Sequence, residues 1–463
     1  MSKPVVLIAE ELSPATVEAL GPDFDIVNVD GTDRPALLKA LGNADAILVR
    51  SATQVDAEAI AAAPKLKVVA RAGVGLDNVD IKAATTAGVM VVNAPTSNVI
   101  SAAELAIGHI FALARFIPDA NASLKAGEWK RSKFTGVELY EKTIAIIGLG
   151  RIGSLVAERL RGFGATLIGY DPYVTPARAE QMGVELVSLE EAMKRADFIT
   201  IHIPKTPETT GLIGEAQFAI AKPNLRIVNA SRGGIIDEAA LYAALRSNRI
   251  AGAGLDVFVQ EPPKGSPLLE LDNIIVTPHL GASTDEAQEK AGISVAKSVR
   301  LALAGDLVPD AVNVAGGNID SSVKPGISLM ENMGQILFGI SGGNVSAIEV
   351  EVRGEIAAHD VSVLKLAGLK GFFENAVTDQ VSYVNAPLLA EQRGVDVKLT
   401  VDSRSDEYRN VTSIKATLAD GTTASVSGTV IGPKLAQKIV AINGYEVELA
   451  MAEHLVLMVY GDR

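Results

Sequence analysis

The stretch from Ile144 to Leu160 reads IAIIGLGRIGSLVAERL, and it leaves the chain few ways to fold. An apolar run of strand length, Ile144 to Ile147, leads into Gly148, Gly150 and Gly153 in the spacing G-x-G-x-x-G, and an amphipathic helical pattern follows directly. That order is strand, tight turn, helix. The first glycine permits the turn, the second lets the backbone approach a pyrophosphate, and the third lets the helix pack closely on the strand. The anion then sits on unpaired amides at the helix N-terminus. A second apolar run, Thr166 to Tyr170, ends at Asp171, 23 residues after Gly148. A carboxylate there accepts both hydroxyls of a ribose. A 2′-phosphate would meet repulsion instead, and Pro172, Tyr173 and Val174 bring no cation to offset it. The pattern predicts a dinucleotide-binding domain that takes NAD rather than NADP.

At 463 residues the chain is too long for a single core, and domain-size arguments suggest roughly three domains. The formal net charge of −13 and pI near 5.0 argue against a nucleic-acid or anionic-membrane partner, because no large basic field exists to neutralise phosphates. Cysteine is absent, which excludes disulfides, thiolate metal sites and thiol nucleophiles and agrees with a reducing compartment. No metal site is expected. Five apolar residues precede Glu10, too few for a signal-peptide core, and no apolar run approaches membrane-spanning length. A soluble cytoplasmic protein is expected.

Residues 1 to about 95 alternate short apolar runs (Val5–Ala9, Ile26–Val29, Ala46–Val49, Val68–Ala70, Val89–Val92) with helical patterns. Such alternation predicts a parallel sheet. In an open parallel sheet, ligands bind beyond the carboxyl ends of the strands. Arg50 and Arg71 follow two of these runs and could hold an anion, while Gly73 and Gly75 could offer bare amides to a carboxylate. The alternative is that each arginine caps a turn or pairs with a surface acid. The polar, proline-broken NAPTSN, Asn93 to Asn98, can serve as a hinge. A long apolar helix is expected over Ala102 to Ile117, with His109 inside it as a packing residue. Trp129 sits amid Lys125, Lys130, Arg131 and Lys133, either a solvated basic face or an arm reaching a neighbouring subunit.

From Leu139 to about Thr284 strand and helix alternate again, and three strand ends converge on chemistry. Ile227–Ala230 ends in Ser231 and Arg232; the run through Asp256 and Phe258 leads to Glu261; Ile274–Pro278 ends in His279, Gly281 and Ala282. Oxidising a hydroxy acid with a nicotinamide cofactor needs these parts. Arg232 carries the forked, permanent charge that holds a carboxylate and polarises a carbonyl. Imidazole as a side-chain type titrates near working pH, and His279 is the one placed to take the hydroxyl proton. Glu261 can orient that imidazole and stabilise its charged form.

The motifs VRSATxVD, RAGVGLDNVD, VNAPTSN, GLGRIGxxVAxRL, YDPY, PKTPET, NASRGGIIDE, GLDVF, EPP and VTPHLGAS, spread over residues 4 to 310, resemble the D-isomer-specific 2-hydroxyacid dehydrogenases, and most of all the family's long bacterial branch that oxidises phosphoglycerate. The resemblance implies NAD-dependent oxidation of 3-phospho-D-glycerate to 3-phosphohydroxypyruvate, the first step of serine biosynthesis. It assigns Arg232, Glu261 and His279 the catalytic roles derived above. Arg151 and Ile152, with Gly148, Gly150 and Gly153, would meet the pyrophosphate; Asp171 would take the ribose and Asp256 the nicotinamide carboxamide, with Ala230, Ser231, Gly281 and Ala282 also lining the cofactor. Val74 and Gly75 would offer amides to the substrate carboxylate, with Arg50 and Arg71 near its phosphate and Asn98 beside the substrate. Arg131 or Lys133 would reach the partner's site in a homodimer or homotetramer. The cleft would close on hinges near Asn98 and Ser283. Rival readings are a hydroxypyruvate or glyoxylate reductase of the same family and, from another class, an NAD-sensing corepressor-like protein.

The fold class implied is α/β: two Rossmann-like parallel-sheet domains followed by an α+β domain. The first, residues 1–97 with 285–312, would be a discontinuous substrate-binding domain, and residues 98–284 would bind NAD. Residues 318–452 resemble the intervening, or allosteric substrate-binding, domain of the same branch. There Lys434 and Lys438 are expected one turn apart on a helix, where they could bind an anion or form a solvated basic face. Residues 453–463 resemble only the first strand of a serine-binding ACT domain. The chain is therefore expected to be truncated and free of serine inhibition through that domain.

Overall fold

Short apolar runs become parallel strands because helices cover both faces of the sheets they build. The computed structural model describes residues 3–306, 308–314, 319–342, 345–377, 381–452 and 455–458. Its first sheet contains β1 (Val5–Ile8), β2 (Asp25–Asn28), β3 (Ala46–Val49), β4 (Val68–Arg71) and β5 (Met90–Val92), in the order β2-β1-β3-β4-β5 with every pair parallel. All four residues of β3 are buried. The second sheet contains β6 (Thr143–Ile147), β7 (Thr166–Tyr170), β8 (Glu185–Leu186), β9 (Phe198–Ile201), β10 (Arg226–Asn229), β11 (Gly252–Leu255) and β12 (Ile274–Val276), in the order β12-β11-β10-β9-β6-β7-β8, again all parallel. Strand order reverses between β6 and β9, the switch point where such sheets open a crevice at their carboxyl ends.

Contacts divide the chain into two units, Met1–Pro95 with Gly292–Arg463, and Thr96–Ala291. The sequence reading puts its breaks at 97/98 and 284/285; the helix Asp285–Ala304 begins at the second of them, and the 291/292 boundary falls within that helix. Within the first unit, Val295, Ala296 and Val299 of that helix are buried. Gly292 leaves room for Thr16, whose Oγ1 would stand 1.9 Å from an added Cβ. The Arg300 guanidinium donates to the carbonyl of Leu20 and pairs with Asp23 at 3.2 Å. Asn313 then pins the chain beside β5, donating from Nδ2 to Val89 O and accepting from Val91 N, both at 2.9 Å.

The same unit holds a third sheet: β13 (Val345–Gly354), β14 (Asp396–Asp402), β15 (Asn410–Leu418), β16 (Thr423–Ile431), β17 (Ala436–Ile442) and β18 (Tyr445–Ala450). Its order is β14-β13-β15-β16-β17-β18; β13 and β14 are parallel and the rest antiparallel. Buried and more exposed residues alternate along β13, as they must where one face only is covered. Leu329, Met333 and Leu337 of the helix Pro325–Ser341 and Phe372 of the helix Ser362–Glu374 pack with Ile348, Val350, Ile414 and Val426.

The helix expected around Lys434 and Lys438 is not formed, and that expectation is corrected. Lys434 lies in a turn where Gly432 has φ +68° and Leu435 φ +54°, and Lys438 lies on β17, ion-paired with Glu448 of β18. The run Ile439-Val440-Ala441-Ile442 gains ladder partners on both sides and a half-buried surface that suits β-branched residues, which outweighs helical spacing. The terminal strand expected over residues 453–463 lies mostly outside the described residues.

The two helices of this region cross with their backbones nearly touching. A Cβ on Gly334 would stand 2.2 Å from Gly368 O, and one on Gly371 would stand 1.9 Å from Glu331 O. Backbone atoms cannot step aside as a flexible side chain would. Gly371→Ala should therefore destabilise this region by about 2–3 kcal/mol, seen by calorimetry of the whole chain as an earlier unfolding transition; an unchanged transition would mean that the helices can separate freely.

Candidate active site

The site is built where strands β6, β7, β10, β11 and β12 end. Gly148 has φ +93°, and a Cβ there would meet His202 O at 2.6 Å; a Cβ on Gly153 would meet Gly148 O at 1.9 Å. The two positions thus require glycine for the turn and for helix-on-strand packing. Gly150 differs, because nothing lies within 4 Å of where its Cβ would be. It caps the helix Arg151–Arg161 without any side-chain hydrogen bond to the first amides. Open space over unpaired amides fits a pyrophosphate, so these residues suit NAD. Arg151 is exposed and Ile152 half-buried at this helix start. Asp171 follows β7; its Oδ2 accepts from Leu149 N and its Oδ1 from Tyr173 N, both at 2.9 Å, which ties this carboxylate to the glycine turn.

After β10, the buried Asn229 shapes the turn that carries Arg232. Its Oδ1 accepts from Ser231 N at 3.1 Å and Ser231 Oγ at 2.8 Å, and its Nδ2 donates to Arg232 O at 2.9 Å. Arg232 itself is half-buried and donates from Nη1 to Ser231 O at 2.8 Å. Gly233 follows with no room for a side chain, since its Cβ would fall 1.9 Å from Phe258 O. That contact joins the Arg232 turn to the one that carries Glu261. Glu261 Oε1 accepts from Phe258 N at 3.0 Å, and Oε2 lies 2.7 Å from His279 Nδ1. Glu261 therefore holds its own loop and the imidazole with one carboxylate. His279 sits in left-handed backbone, φ +56°. Its amide donates to Asp256 O at 2.9 Å, and Asp256 Oδ2 accepts from Gly281 N at 2.9 Å. Ala230 and Ala282 are half-buried beside these turns.

In the first unit, Arg50 and Arg71 follow or end the neighbouring strands β3 and β4. Glu10 at the end of β1 accepts from the amides of Arg50 at 2.8 Å, Ala52 at 3.2 Å and Thr53 at 2.9 Å, so one carboxylate folds the whole Arg50 loop. Asn78 closes it by donating to Arg50 O at 2.8 Å and Thr53 O at 2.6 Å. The Arg71 guanidinium lies against Gly73, where a Cβ would meet Nη1 at 2.1 Å. Asn93 Nδ2 donates to Val74 O at 2.6 Å and fixes the loop that bears Val74 and Gly75. Asn98 heads the helix Val99–Arg115 without a side-chain cap. Trp129 is 78% exposed beside the short 3-10 turn Arg131–Phe134, which carries Arg131 and Lys133.

Sequence reasoning missed Glu10, Asn78, Asn93 and Asn229, whose signal is a polar residue just after an apolar run or in the glycine loop beside one. Among the described residues, no group of three or more His, Asp or Glu could hold a metal ion, and no single helix is long and apolar enough to cross a membrane.

Residues 107–281 match the family model of the D-isomer specific 2-hydroxyacid dehydrogenase NAD binding domain, and residues 322–443 that of the D-3-phosphoglycerate dehydrogenase intervening domain. The chain is 54% identical to the D-3-phosphoglycerate dehydrogenase of Mycobacterium tuberculosis over 463 residues, all of this chain and 88% of that one. It is 44% identical to that of Methanocaldococcus jannaschii, over 99% of this chain and 87% of the other. Among solved structures it is similar to the NAD-dependent formate dehydrogenase of Staphylococcus aureus in complex with NAD, with TM-score 0.60 and 31% identity over 68% of this chain and 100% of that one. The chain belongs to the D-isomer-specific 2-hydroxyacid dehydrogenase family. It is an NAD-dependent dehydrogenase of a small 2-hydroxy acid, and it carries the intervening domain of phosphoglycerate dehydrogenases.

His202, just past β9, lies with Nε2 2.8 Å from Thr200 Oγ1, and burial pushes its imidazole from 6.5 down to about 4. Unfolded, the ring takes up a proton below about pH 6.5; folded, it refuses that proton until about 4. Stability should therefore decline as pH falls through that window. His202→Gln should lessen the drop in melting temperature between about pH 7 and pH 5, and an unaltered drop would assign the decline to other groups.

Proposed function

We propose that the chain oxidises 3-phospho-D-glycerate to 3-phosphohydroxypyruvate with NAD, with His279 as acid and base, Glu261 as its orienting carboxylate and Arg232 as the anchor of the substrate carboxylate. The observation that carries this reading is the 2.7 Å approach of His279 Nδ1 to Glu261 Oε2. With Nδ1–H donating to the carboxylate, Nε2 is the basic nitrogen of the neutral ring and takes the substrate's hydroxyl proton. The imidazolium formed is stabilised by the adjacent negative charge, and in the reverse direction it returns the proton to the carbonyl oxygen. Arg232 holds the carboxylate and polarises the reacting oxygen. NAD, held by the amides and residues around Gly148, Gly150, Arg151, Ile152, Gly153, Asp171, Ala230, Ser231, Asp256, Gly281 and Ala282, supplies the hydride acceptor.

In the same reading, residues 1–97 with 285–312 form the substrate-binding domain, 98–284 the NAD-binding domain and 318–452 the intervening domain. Arg50 and Arg71 take the substrate's phosphate, Val74 and Gly75 its carboxylate, and Asn98 lies alongside. The protein works in the cytoplasm as a homodimer or homotetramer, in which the exposed Trp129 segment carries Arg131 or Lys133 to the partner's site. Size-exclusion chromatography with light scattering tests the assembly; a monomer would remove the role given to Arg131 and Lys133.

His279→Ala should lower kcat by roughly 10²- to 10⁴-fold while fluorescence titration shows NADH binding close to wild type; lost NADH binding would make the residue structural. The double variant Arg50→Ala, Arg71→Ala should lose the preference for the phosphate ester over D-glycerate, KM for the ester rising roughly 10- to 100-fold per arginine. Equal use of both acids by wild type would overturn the phosphate assignment.

A further inference from the structure

A line of hydrogen bonds runs from a buried helix to the turn that bears His279. His109, on the helix Val99–Arg115, is 3% exposed, and its Nε2 lies 3.0 Å from Thr277 Oγ1. Thr277 Oγ1 in turn donates to Asp256 Oδ1 at 2.6 Å. A hydroxyl has one hydrogen, and this one is committed to the carboxylate. Toward the ring the threonine oxygen can therefore only accept, so His109 carries its proton on Nε2. Nδ1 is then a bare lone pair, buried without a partner and facing Gly254, where a Cβ would come within 2.8 Å. Burial lowers the pKa of His109, against the opposing pull of the Asp256 charge. The ring is held neutral in a single tautomer.

Asp256, 1% exposed, gathers the whole turn. Its Oδ1 also accepts from Leu280 N at 2.7 Å, its Oδ2 from Gly281 N at 2.9 Å, and its main-chain oxygen from His279 N at 2.9 Å. Four donors from residues 277–281 thus converge on one residue. His279 lies among them at φ +56°, a conformation that a residue with a side chain keeps only where its surroundings over-determine it. A leucine or phenylalanine at 109 would fill the apolar helix face as well as histidine does. What it could not do is occupy the Thr277 lone pair and so lock that hydroxyl's rotor toward Asp256.

We propose that His109 and Thr277 are positioning residues for the dehydrogenase reaction: through Asp256 they fix the 277–281 turn and thereby aim the His279 imidazole at Glu261 and the substrate. The inference rests on the reading of His279 as acid and base. The function of His109 is then to donate one hydrogen bond.

The test compares, in the whole protein, Thr277→Val and His109→Leu, which remove the bonds, with Thr277→Ser and His109→Gln, which keep a hydroxyl and an N–H donor. The removing pair should lower kcat by about 10- to 100-fold with both KM values and NADH affinity little changed. The keeping pair should restore most of kcat. Hydrogen exchange of the Leu280 and Gly281 amides should quicken in Thr277→Val and stay slow in Thr277→Ser. Added to His279→Ala, Thr277→Val should cause no further loss, since both act through one imidazole. Wild-type kcat in Thr277→Val, equal losses in the valine and serine variants, or unchanged amide exchange would overturn the relay. Full turnover in His279→Ala would instead overturn the acid–base assignment, while the exchange comparison still decides whether Thr277 holds the turn.

Discussion

Side-chain oxygens at the carboxyl ends of parallel strands hold the loops on which the rest of this molecule depends. A strand that ends in a tight turn leaves several amides without ladder partners, and buried amides must find acceptors. Glu10 takes three from the Arg50 loop, Asp256 takes Leu280 and Gly281, and Asp171 takes Leu149 and Tyr173. Charge-assisted bonds of this kind are short and directional. They convert loops that would otherwise sample many conformations into fixed platforms, at the edge where a parallel sheet opens its crevice.

Glycines complete the same task by subtraction. Gly153 brings a helix onto the glycine turn, Gly233 brings the Arg232 turn onto Phe258, and Gly371 brings one helix of the third sheet's cover onto the other, each at a distance that a Cβ would forbid. Gly150 stands apart because the space above it is open. Close packing marks the architectural glycines, whereas open space at the start of a helix is what an anion requires.

Much of the architecture was legible in advance because its signals are local. Parallel strands declare themselves as short apolar runs, and the runs read from the sequence coincide with β1, β3, β4, β6 and β7 to within a residue or so. The motifs around Gly148, Arg232, Glu261 and His279 carried the family resemblance, and the Glu261–His279 pairing is present in the folded chain. The failure was also physical. Lys434 and Lys438 have helical spacing, but β16 and β18 supply ladder partners that spacing cannot reveal.

By itself, then, the sequence determined the two parallel sheets, the glycine turn after β6 and the residue types able to hold a carboxylate and move a proton. Those follow from periodicity, from glycine spacing and from the chemistry of individual side chains. Tertiary structure alone decided that Asn229 shapes the Arg232 turn, that Glu10 folds the Arg50 loop, and that His109 is joined to Asp256 through Thr277. His109 and Thr277 are 168 residues apart. No local rule relates positions so distant; only the packing of helix Val99–Arg115 beside β11 and β12 brings donor to acceptor.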